Sequence, residues 1–255
     1  MIKLPYLYSL FLVPFAITLT SCSQSSENKT TIQSSPQEVV ENNADNEDKE
    51  YLTSLGLMKG HLMVAQQLIA EGKYEQAEPH IGHPVEELYG DIEPQLSKRN
   101  VTDFKTTLNQ LHDSIKTNPK SDKIKEQYDS SIVAIDQAIA AIPAEKLQSP
   151  ETILPVINGL LKTANAEYGA AIANNKIVEL IEYQDSMGFV VYAEQLYQSV
   201  AENMSKNNPE KHEVISTTMK ELKTAWPSVN APETPTMTPE KVDELVTKIQ
   251  ESSKI

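Results

Sequence analysis

The sequence predicts an all-α protein, a bundle of about seven to nine helices behind a disordered N-terminal tether. Beyond residue 50, apolar residues recur three and four positions apart, which is the spacing of amphipathic helices. Glycines are few, with 8 in 255 residues, and the alternation of β-branched and polar residues that marks strands is nearly absent. Asparagine and proline signals separate the apolar segments, so each segment is expected to end as a helix of its own.

The first 22 residues have the layout of an export signal. A lysine at position 3 precedes an apolar run from Leu4 to Leu19, and small residues lie before Cys22. The last four residues, LTSC, look like the lipobox of bacterial lipoproteins, in which the signal is cut before the cysteine and the thiol is then diacylated. The resemblance implies a signal peptide over residues 1–21, covalent lipid such as palmitate on Cys22, and a membrane-anchored lipoprotein on the periplasmic side of a bacterial envelope. A chance cysteine after an ordinary signal peptide is the alternative.

Residues 22–49 are predicted to form a lipidated and disordered linker. Between Ser23 and Lys49 there are almost no apolar residues, so this stretch cannot offset the entropy of ordering. The chain has a net charge of -14 and no basic run, which argues against nucleic acid as a partner and makes cations the natural ones. Cys22 is the only cysteine, so no disulfide stabilises the exported part.

The helical domain is predicted over residues 50–226. Its first helix runs from near Tyr51 to Ala70 and ends at a glycine, a short helix holds YEQAEPHI, and Pro84 opens another that ends near Ser97. Two amphipathic segments follow, VTDFKTTLNQLHDSIKT and SDKIKEQYDSSIVAIDQAIAAI.

The second half of this domain is predicted to contain a helix pair and one further helix. The segment from Ser149 to Ala173 has a proline just inside its start, as helix beginnings prefer. A turn at Asn174-Asn175-Lys176 leads to a long helix from roughly Glu179 to Ser205, and another helix follows from Pro209 to Ala225.

Residues 227–255 are predicted to be a proline-rich connector and a short C-terminal helix. Thr238 caps this helix and Pro239 occupies its first position. We expect the helix to be docked only loosely on the rest of the protein.

Ionisable residues lie on the apolar stripes of three predicted helices. In the first helix His61 shares a face with three aliphatic residues, so its side chain is expected to point inward. Glu167 lies on the stripe of the helix that starts at Pro150. Glu182 begins the stripe of the next helix, with Asp185 one turn away. A histidine in such a place is either satisfied by core hydrogen bonds or a ligand.

Glu167 and Glu182 stand at equal distances from the Asn174-Asn175 turn. An antiparallel helix pair would therefore bring their carboxylates to the same height. Two buried carboxylates repel, and they must share a proton, find cationic partners or bind a metal. No lysine or arginine lies on the two stripes. The alternative is hydrogen bonding to the nearby tyrosines Tyr168, Tyr183 and Tyr192.

The stretch HIGHPVEELYGDIE places two histidines at a predicted helix corner. If Pro84 is the first helical residue, His83 is the cap and Glu87 lies one turn beyond it. His80 precedes the same break, so both imidazoles can close on one ion. Histidine with carboxylate suits Zn²⁺, Fe, Cu²⁺ or Mn²⁺, and the sequence does not choose among them. A helix end that merely carries two histidines is the alternative.

Several catalytic signatures are missing from the sequence. There is no His-Glu-x-x-His, no Gly-x-Ser-x-Gly and no glycine-rich phosphate loop, so we assign no catalytic residue. His112 and His212 have polar neighbours and are interpreted as solvent-facing.

Two long stretches carry a resemblance to exported bacterial helical proteins. They are GLMKGHLMVAQQLIAEGKYEQAEPHIGHPVEELY and AEYGAAIANNKIVELIEYQDSMGFVVYA, and the later half is also similar to the exported helical domain of some bacterial iron permeases. The resemblance covers about residues 51–96 and 160–200 and implies a role in handling iron or another metal. The positions that match its polar pattern are His61, His80, His83, Glu87, Glu167, Glu182 and Asp185.

The function predicted is therefore that of a lipid-anchored envelope protein that binds a transition-metal ion, iron, zinc or copper, for uptake, delivery or sensing. Its expected partners are the membrane, through the lipid, and a metal transporter or another envelope protein. A metal-free helical scaffold or adaptor is the alternative. An enzyme that uses Glu167 and Glu182 as an acid and base pair is a third.

Overall fold

The computed structural model describes residues 36–255, with side chains from residue 44 onward. This part of the chain is almost entirely helical, so the predicted all-α class is confirmed. Nine of its helices have ten residues or more, in agreement with the seven to nine expected. The helices are α1 Pro36–Ala70, α2 Tyr74–His83, α3 Tyr89–Lys98, α4 Lys105–Thr117, α5 Lys123–Ile139, the single turn α6 Ala144–Leu147, α7 Pro150–Ala171, α8 Leu180–Asn207, α9 Pro209–Leu222 and α10 Pro239–Ser252.

The first helix starts earlier than the sequence predicts. The predicted signal peptide, Cys22 and residues 22–35 of the predicted linker lie outside the described residues, but residues 36–49 belong to α1. Asp48 lies 2.6 Å from an Arg99 nitrogen and 2.8 Å from Lys146 Nζ, which is also 2.6 Å from Asp45. These ion pairs with distant parts of the chain hold a segment whose own apolar content is too low to order it, so the linker ends before residue 49.

The corner predicted at Pro84 is wrong, because α2 and α3 form one continuous helical segment. His83 has helical backbone angles, φ -51 and ψ -42, and does not act as a cap. A π-helical turn over Pro84–Leu88 joins the two helices. Proline has no N–H for the regular helical ladder, and the wider π turn accommodates this loss inside the segment.

A close helix crossing lies at the centre of the protein. A methyl group on Gly188 of α8 would be 2.3 Å from the carbonyl oxygen of Gly60 in α1, so only glycine permits this approach. The middle of α8 is buried on all sides, from Tyr183 to Val190. It packs against α1, α2 and α7.

The predicted turn between α7 and α8 is confirmed and includes two short strands that the sequence did not reveal. Strands β1 (Ile172–Ala173) and β2 (Lys176–Ile177) pair antiparallel, with Ile172 opposite Ile177. Asn174 and Asn175 have φ of 52 and 58, the left-handed conformation that a two-residue hairpin turn requires. Strands of two residues are too short to show an alternating pattern. Their register is symmetric about the two asparagines, as assumed for Glu167 and Glu182.

The C-terminal helix is firmly packed, contrary to the expectation of loose docking. α10 contacts α7 and α9, and it buries Val242, Leu245, Val246 and Ile249. These residues recur at helical spacing and form one apolar stripe. The Thr238 hydroxyl accepts a hydrogen bond from Lys241 N, so the predicted cap is confirmed. None of the helices within residues 36–255 combines the length and apolarity needed to cross a bilayer.

Candidate metal centre

Three histidines surround the carboxylate of Asp185. The Nδ1 atoms of His61 and His80 each lie 2.6 Å from Asp185 Oδ1. The Nδ1 atom of His83 lies 3.1 Å from the other carboxylate oxygen, Oδ2. Four of the seven residues singled out from the sequence are therefore in contact.

Three helices position these side chains. His61 follows Gly60 in α1, and Asp185 lies one turn before Gly188 in α8, so the glycine crossing brings the two side chains together. His80 and His83 lie three residues apart in α2 and therefore share a face. The His61 ring packs edge-on against Phe189 with 4.9 Å between ring centroids, which fixes its orientation.

The cluster is dry at its centre and reaches solvent at one side. The side chains of His80, Asp185 and His61 are 0%, 4% and 6% exposed, whereas that of His83 is 21% exposed. We call His61, His80 and Asp185 the inner site. They are buried, and one nitrogen or oxygen atom from each lies within 4.8 Å of the other two.

Burial and the neighbouring histidines have opposite effects on the pKa of the Asp185 carboxyl. Burial would raise its pKa, but the charge of His61 and the hydrogen bonds of all three histidines outweigh burial and hold the pKa well below its usual range. Burial lowers the pKa of His61, despite the opposing effect of Asp185. The hydrogen bond to Asp185 raises the pKa of the less buried His83. The carboxylate of Asp185 is thus favoured in its ionised form.

The orientation of His80 is fixed by Gln184, which the sequence analysis did not single out. The Gln184 amide nitrogen donates to Val229 O over 3.0 Å, so its Oε1 is the atom that accepts from His80 Nε2 over 3.0 Å. In neutral His80 the proton is then on Nε2, and Nδ1 presents a lone pair to Asp185 Oδ1. Two acceptors 2.6 Å apart repel, so this contact needs either a second proton on His80 or a cation.

The donor set fits a transition-metal ion. Two imidazole nitrogens and one carboxylate oxygen converge, and these are ligands that Zn²⁺ and Fe²⁺ accept. Ligand atoms around a tetrahedral ion at the usual bond lengths are about 3.3 Å apart, so the contacts of 2.6 Å would have to open by less than an ångström.

The three predicted glutamates lie outside this cluster. The Glu87 side chain is 61% exposed, with Oε1 at 3.9 Å from His83 Nε2, while Glu167 and Glu182 are partly buried. Burial, together with the charges of Asp185, Glu182 and Glu87, raises the pKa of the Glu167 carboxyl. The charges of the other carboxylates thus act on Glu167. We call Glu87, Glu167 and Glu182 the rim carboxylates.

Two of the three tyrosines named as alternative partners of the glutamates bond elsewhere, and the interpretation of His112 was wrong. Tyr168 and Tyr183 do not bond the glutamates, because their hydroxyls donate to Met237 O and Ala225 O, at 2.8 and 3.4 Å. His112 is buried rather than solvent-facing, with Nε2 at 2.6 Å from Glu78 Oε1. His112 packs on Gly82, and its polar sequence neighbours gave no signal of this burial.

Residues 143–254 match the family model of the iron permease-associated 4-helix bundle domain. The matched range contains the four long helices α7 to α10 and includes Asp185, Glu167 and Glu182, whereas the three histidines precede it. The match agrees with the resemblance of the later half to a helical domain of iron permeases, and it does not extend to residues 51–96. No curated protein and no solved structure matches the chain.

Proposed function

We propose that this protein binds a divalent transition-metal ion, with Fe²⁺ as the best fit, at the inner site, and that it serves iron uptake at the cell envelope. The observation that carries the proposal is the approach of two imidazole nitrogens, His61 Nδ1 and His80 Nδ1, to the same oxygen of buried Asp185.

A cation accounts for this geometry more simply than protons do. Without a metal, the Gln184 hydrogen bond requires His80 to carry two protons and to be a fully buried imidazolium. With a divalent ion, neutral imidazoles and the carboxylate all direct lone pairs at one charge. None of the lysine or arginine ion pairs among the described side chains involves Asp185, so the countercharge comes from histidine or from an ion.

Iron is favoured by two independent features. Two histidines and one carboxylate with open coordination positions form the ligand set typical of non-haem Fe²⁺ sites. The second half of the chain resembles a domain associated with iron permeases, which supports iron over zinc and copper. Three protein ligands leave positions free for exchange, as delivery to a transporter requires.

We propose that the protein is held at the membrane by lipid on Cys22. The support for this is the LTSC sequence after an apolar run. Several acyl chains would give durable attachment, at about 0.8 kcal/mol per buried CH₂. Mass spectrometry of the N-terminal peptide should find a diacylated Cys22, and Cys22→Ser should release the protein from membranes; an unmodified cysteine contradicts this part of the proposal.

The metal proposal is tested by equilibrium binding to the purified protein. We expect one equivalent of Fe²⁺, added without oxygen, to bind and to raise the unfolding temperature. Asp185→Asn and His61→Ala should abolish binding. His212→Ala is the matched control, because His212 bonds Tyr197 in a different part of the protein and its loss should leave binding unchanged.

The metal-free alternative gives the opposite result. A scaffold in which the histidines only hydrogen-bond to Asp185 would retain no Fe²⁺, Zn²⁺ or Cu²⁺ and gain no stability from them. That outcome would end the proposal.

A further inference from the structure

His83 differs from the other two histidines in the oxygen that it contacts and in its exposure. His61 and His80 face Asp185 Oδ1, whereas His83 faces Oδ2. Its nitrogen atoms are not among the ligand atoms that lie close enough together to bind one ion. Of the three imidazoles on the carboxylate, it is the most exposed, at 21% against 6% for His61 and 0% for His80.

The two nitrogens of His83 face two different carboxylates. Nδ1 is 3.1 Å from buried Asp185, and Nε2 is 3.9 Å from Glu87, whose side chain is 61% exposed. Exposure therefore falls stepwise from Glu87 through His83 to Asp185, from 61% to 21% to 4%. The route from solvent to Asp185 that these exposures favour runs past the His83 ring, since the other two histidines on the carboxylate are more deeply buried.

The rim carboxylates are all more exposed than Asp185, and Glu87 lies beside His83. Burial raises the pKa of the Glu167 carboxyl, and the charges of Asp185, Glu182 and Glu87 raise it further. No lysine or arginine pairs with Glu87, Glu167 or Glu182 among the described side chains. Apart from the His83 imidazole, 3.9 Å from Glu87, no basic side chain pairs with these carboxylates among the described residues, so the region attracts cations.

Directly after His83 the backbone departs from the regular α-helix. The π turn begins at the next residue, Pro84, and Glu87 lies within it. Single π turns inside α-helices are frequent at functional sites. Here the turn places the Glu87 carboxylate beside the His83 imidazole, which also contacts Asp185.

We propose that His83 is the transfer residue of the site, which passes a divalent cation between the rim carboxylates and the inner site. This inference rests on the proposed function and adds the route by which the ion reaches the inner site. The rim carboxylates bind the ion first, His83 then transfers it, and the inner site of His61, His80 and Asp185 binds it last. The roles make distinct predictions, because a transfer residue sets rates and a ligand sets affinity.

The test measures Zn²⁺ association and release by stopped flow with a chromophoric chelator, next to equilibrium affinity. For His83→Leu we expect association and release to slow together by about tenfold, with the affinity changed by less than about threefold. His61→Ala should lose equilibrium affinity altogether. Leucine keeps the bulk of the ring and removes both nitrogens, so the effect reports on transfer and not on packing.

A charge test addresses the rim. Changing Glu87, Glu167 and Glu182 to glutamine should slow association by about tenfold at low salt and flatten its dependence on ionic strength. The control changes Glu202, Glu210 and Glu213 to glutamine and removes the same charge. Glu202 is 17 residues from Asp185 on the same helix, about 25 Å away, so this variant should associate at the normal rate.

The outcomes separate this inference from the proposed function. If neither the natural protein nor any variant binds metal, the proposed function and the transfer role both fail. If the natural protein binds but His83→Leu loses affinity as His61→Ala does, then His83 is an ordinary ligand and the transfer role is refuted while the metal site stands. Unchanged rates in His83→Leu would also refute it.

Discussion

Gln184 Oε1 accepts a hydrogen bond from His80 Nε2 over 3.0 Å, and this contact decides which nitrogen of the imidazole faces Asp185. The amide is itself held by Val229 O, so the tautomer of His80 depends on the segment after α9. A residue that touches no metal thereby orients one that we propose as a ligand.

Replacement of Gln184 by leucine should weaken metal binding without abolishing it. Outer hydrogen-bond partners of ligating histidines typically contribute about 10- to 100-fold in affinity, and we expect a loss in that range. Competition with a chelator of known affinity measures it. Gln184→Glu keeps an acceptor for His80 Nε2, and its protonated form can still donate to Val229 O, so this variant should bind within about tenfold of the natural protein. Equal affinity in the leucine variant would contradict the orienting role.

The glycine crossing should be necessary for the site as well as for stability. In Gly188→Ala the new methyl group would lie 2.3 Å from Gly60 O, so α1 and α8 must separate and His61 moves away from Asp185. We expect a loss of about 2 kcal/mol or more in unfolding free energy and weaker metal binding. Urea unfolding and metal titration check both.

Gly169→Ala is the control for this substitution. A methyl group there meets nothing within 4 Å, and the position lies inside α7. Alanine in a helix is favoured over glycine by about 0.5–1 kcal/mol, so this variant should be slightly more stable and should bind metal normally. A stable, metal-binding Gly188→Ala would show that the crossing is not tight.

Asp48 should make stability depend on pH in the acid range. Burial raises its pKa, but the hydrogen bonds and charges of Lys146 and Arg99 outweigh burial and lower it below its ordinary value of 3.8. A carboxyl whose pKa is lower in the folded state stabilises the folded protein fully at pH values above the pKa that it has in the unfolded state. That contribution is lost as pH falls through the folded pKa.

The variant Asp48→Asn isolates this contribution. It should be less stable than the natural protein by about 1–2 kcal/mol at pH 7, and the difference should shrink below pH 3.8 as the aspartate becomes protonated. Urea unfolding at a series of pH values measures it. A difference that is constant from pH 7 to the acid range would mean that the charge of Asp48 is not what holds the beginning of α1.

The cap of the last helix should contribute to the stability of the whole protein. Thr238 accepts from Lys241 N, and α10 covers α7 and α9, so Thr238→Ala is expected to cost about 1 kcal/mol in urea unfolding. Thr238→Ser keeps the hydroxyl and should be close to neutral. If α10 unfolded separately, the alanine variant would leave the main transition unchanged.

The N-terminal boundary and the π turn show where sequence patterns are insufficient. Residues 36–49 lack the apolar content that predicts order, and their helix is held by Lys146 and Arg99, which are distant in the sequence. A proline after His83 normally indicates a helix start, but packing of α2 on α1 and α8 keeps the segment continuous.

The sequence by itself determined the all-α class, the hairpin at Asn174 and Asn175, the Thr238 cap and the inward direction of His61, because periodicity and turn residues act over a few positions. Only the tertiary structure decided that His61 meets Asp185, 124 residues away, while Glu167 and Glu182 remain at the rim. The physical reason is that a helical stripe fixes which face a side chain occupies. How deeply that side chain is buried and which residue it contacts depend on how closely two helices cross. Here the close approach is that of Gly60 to Gly188.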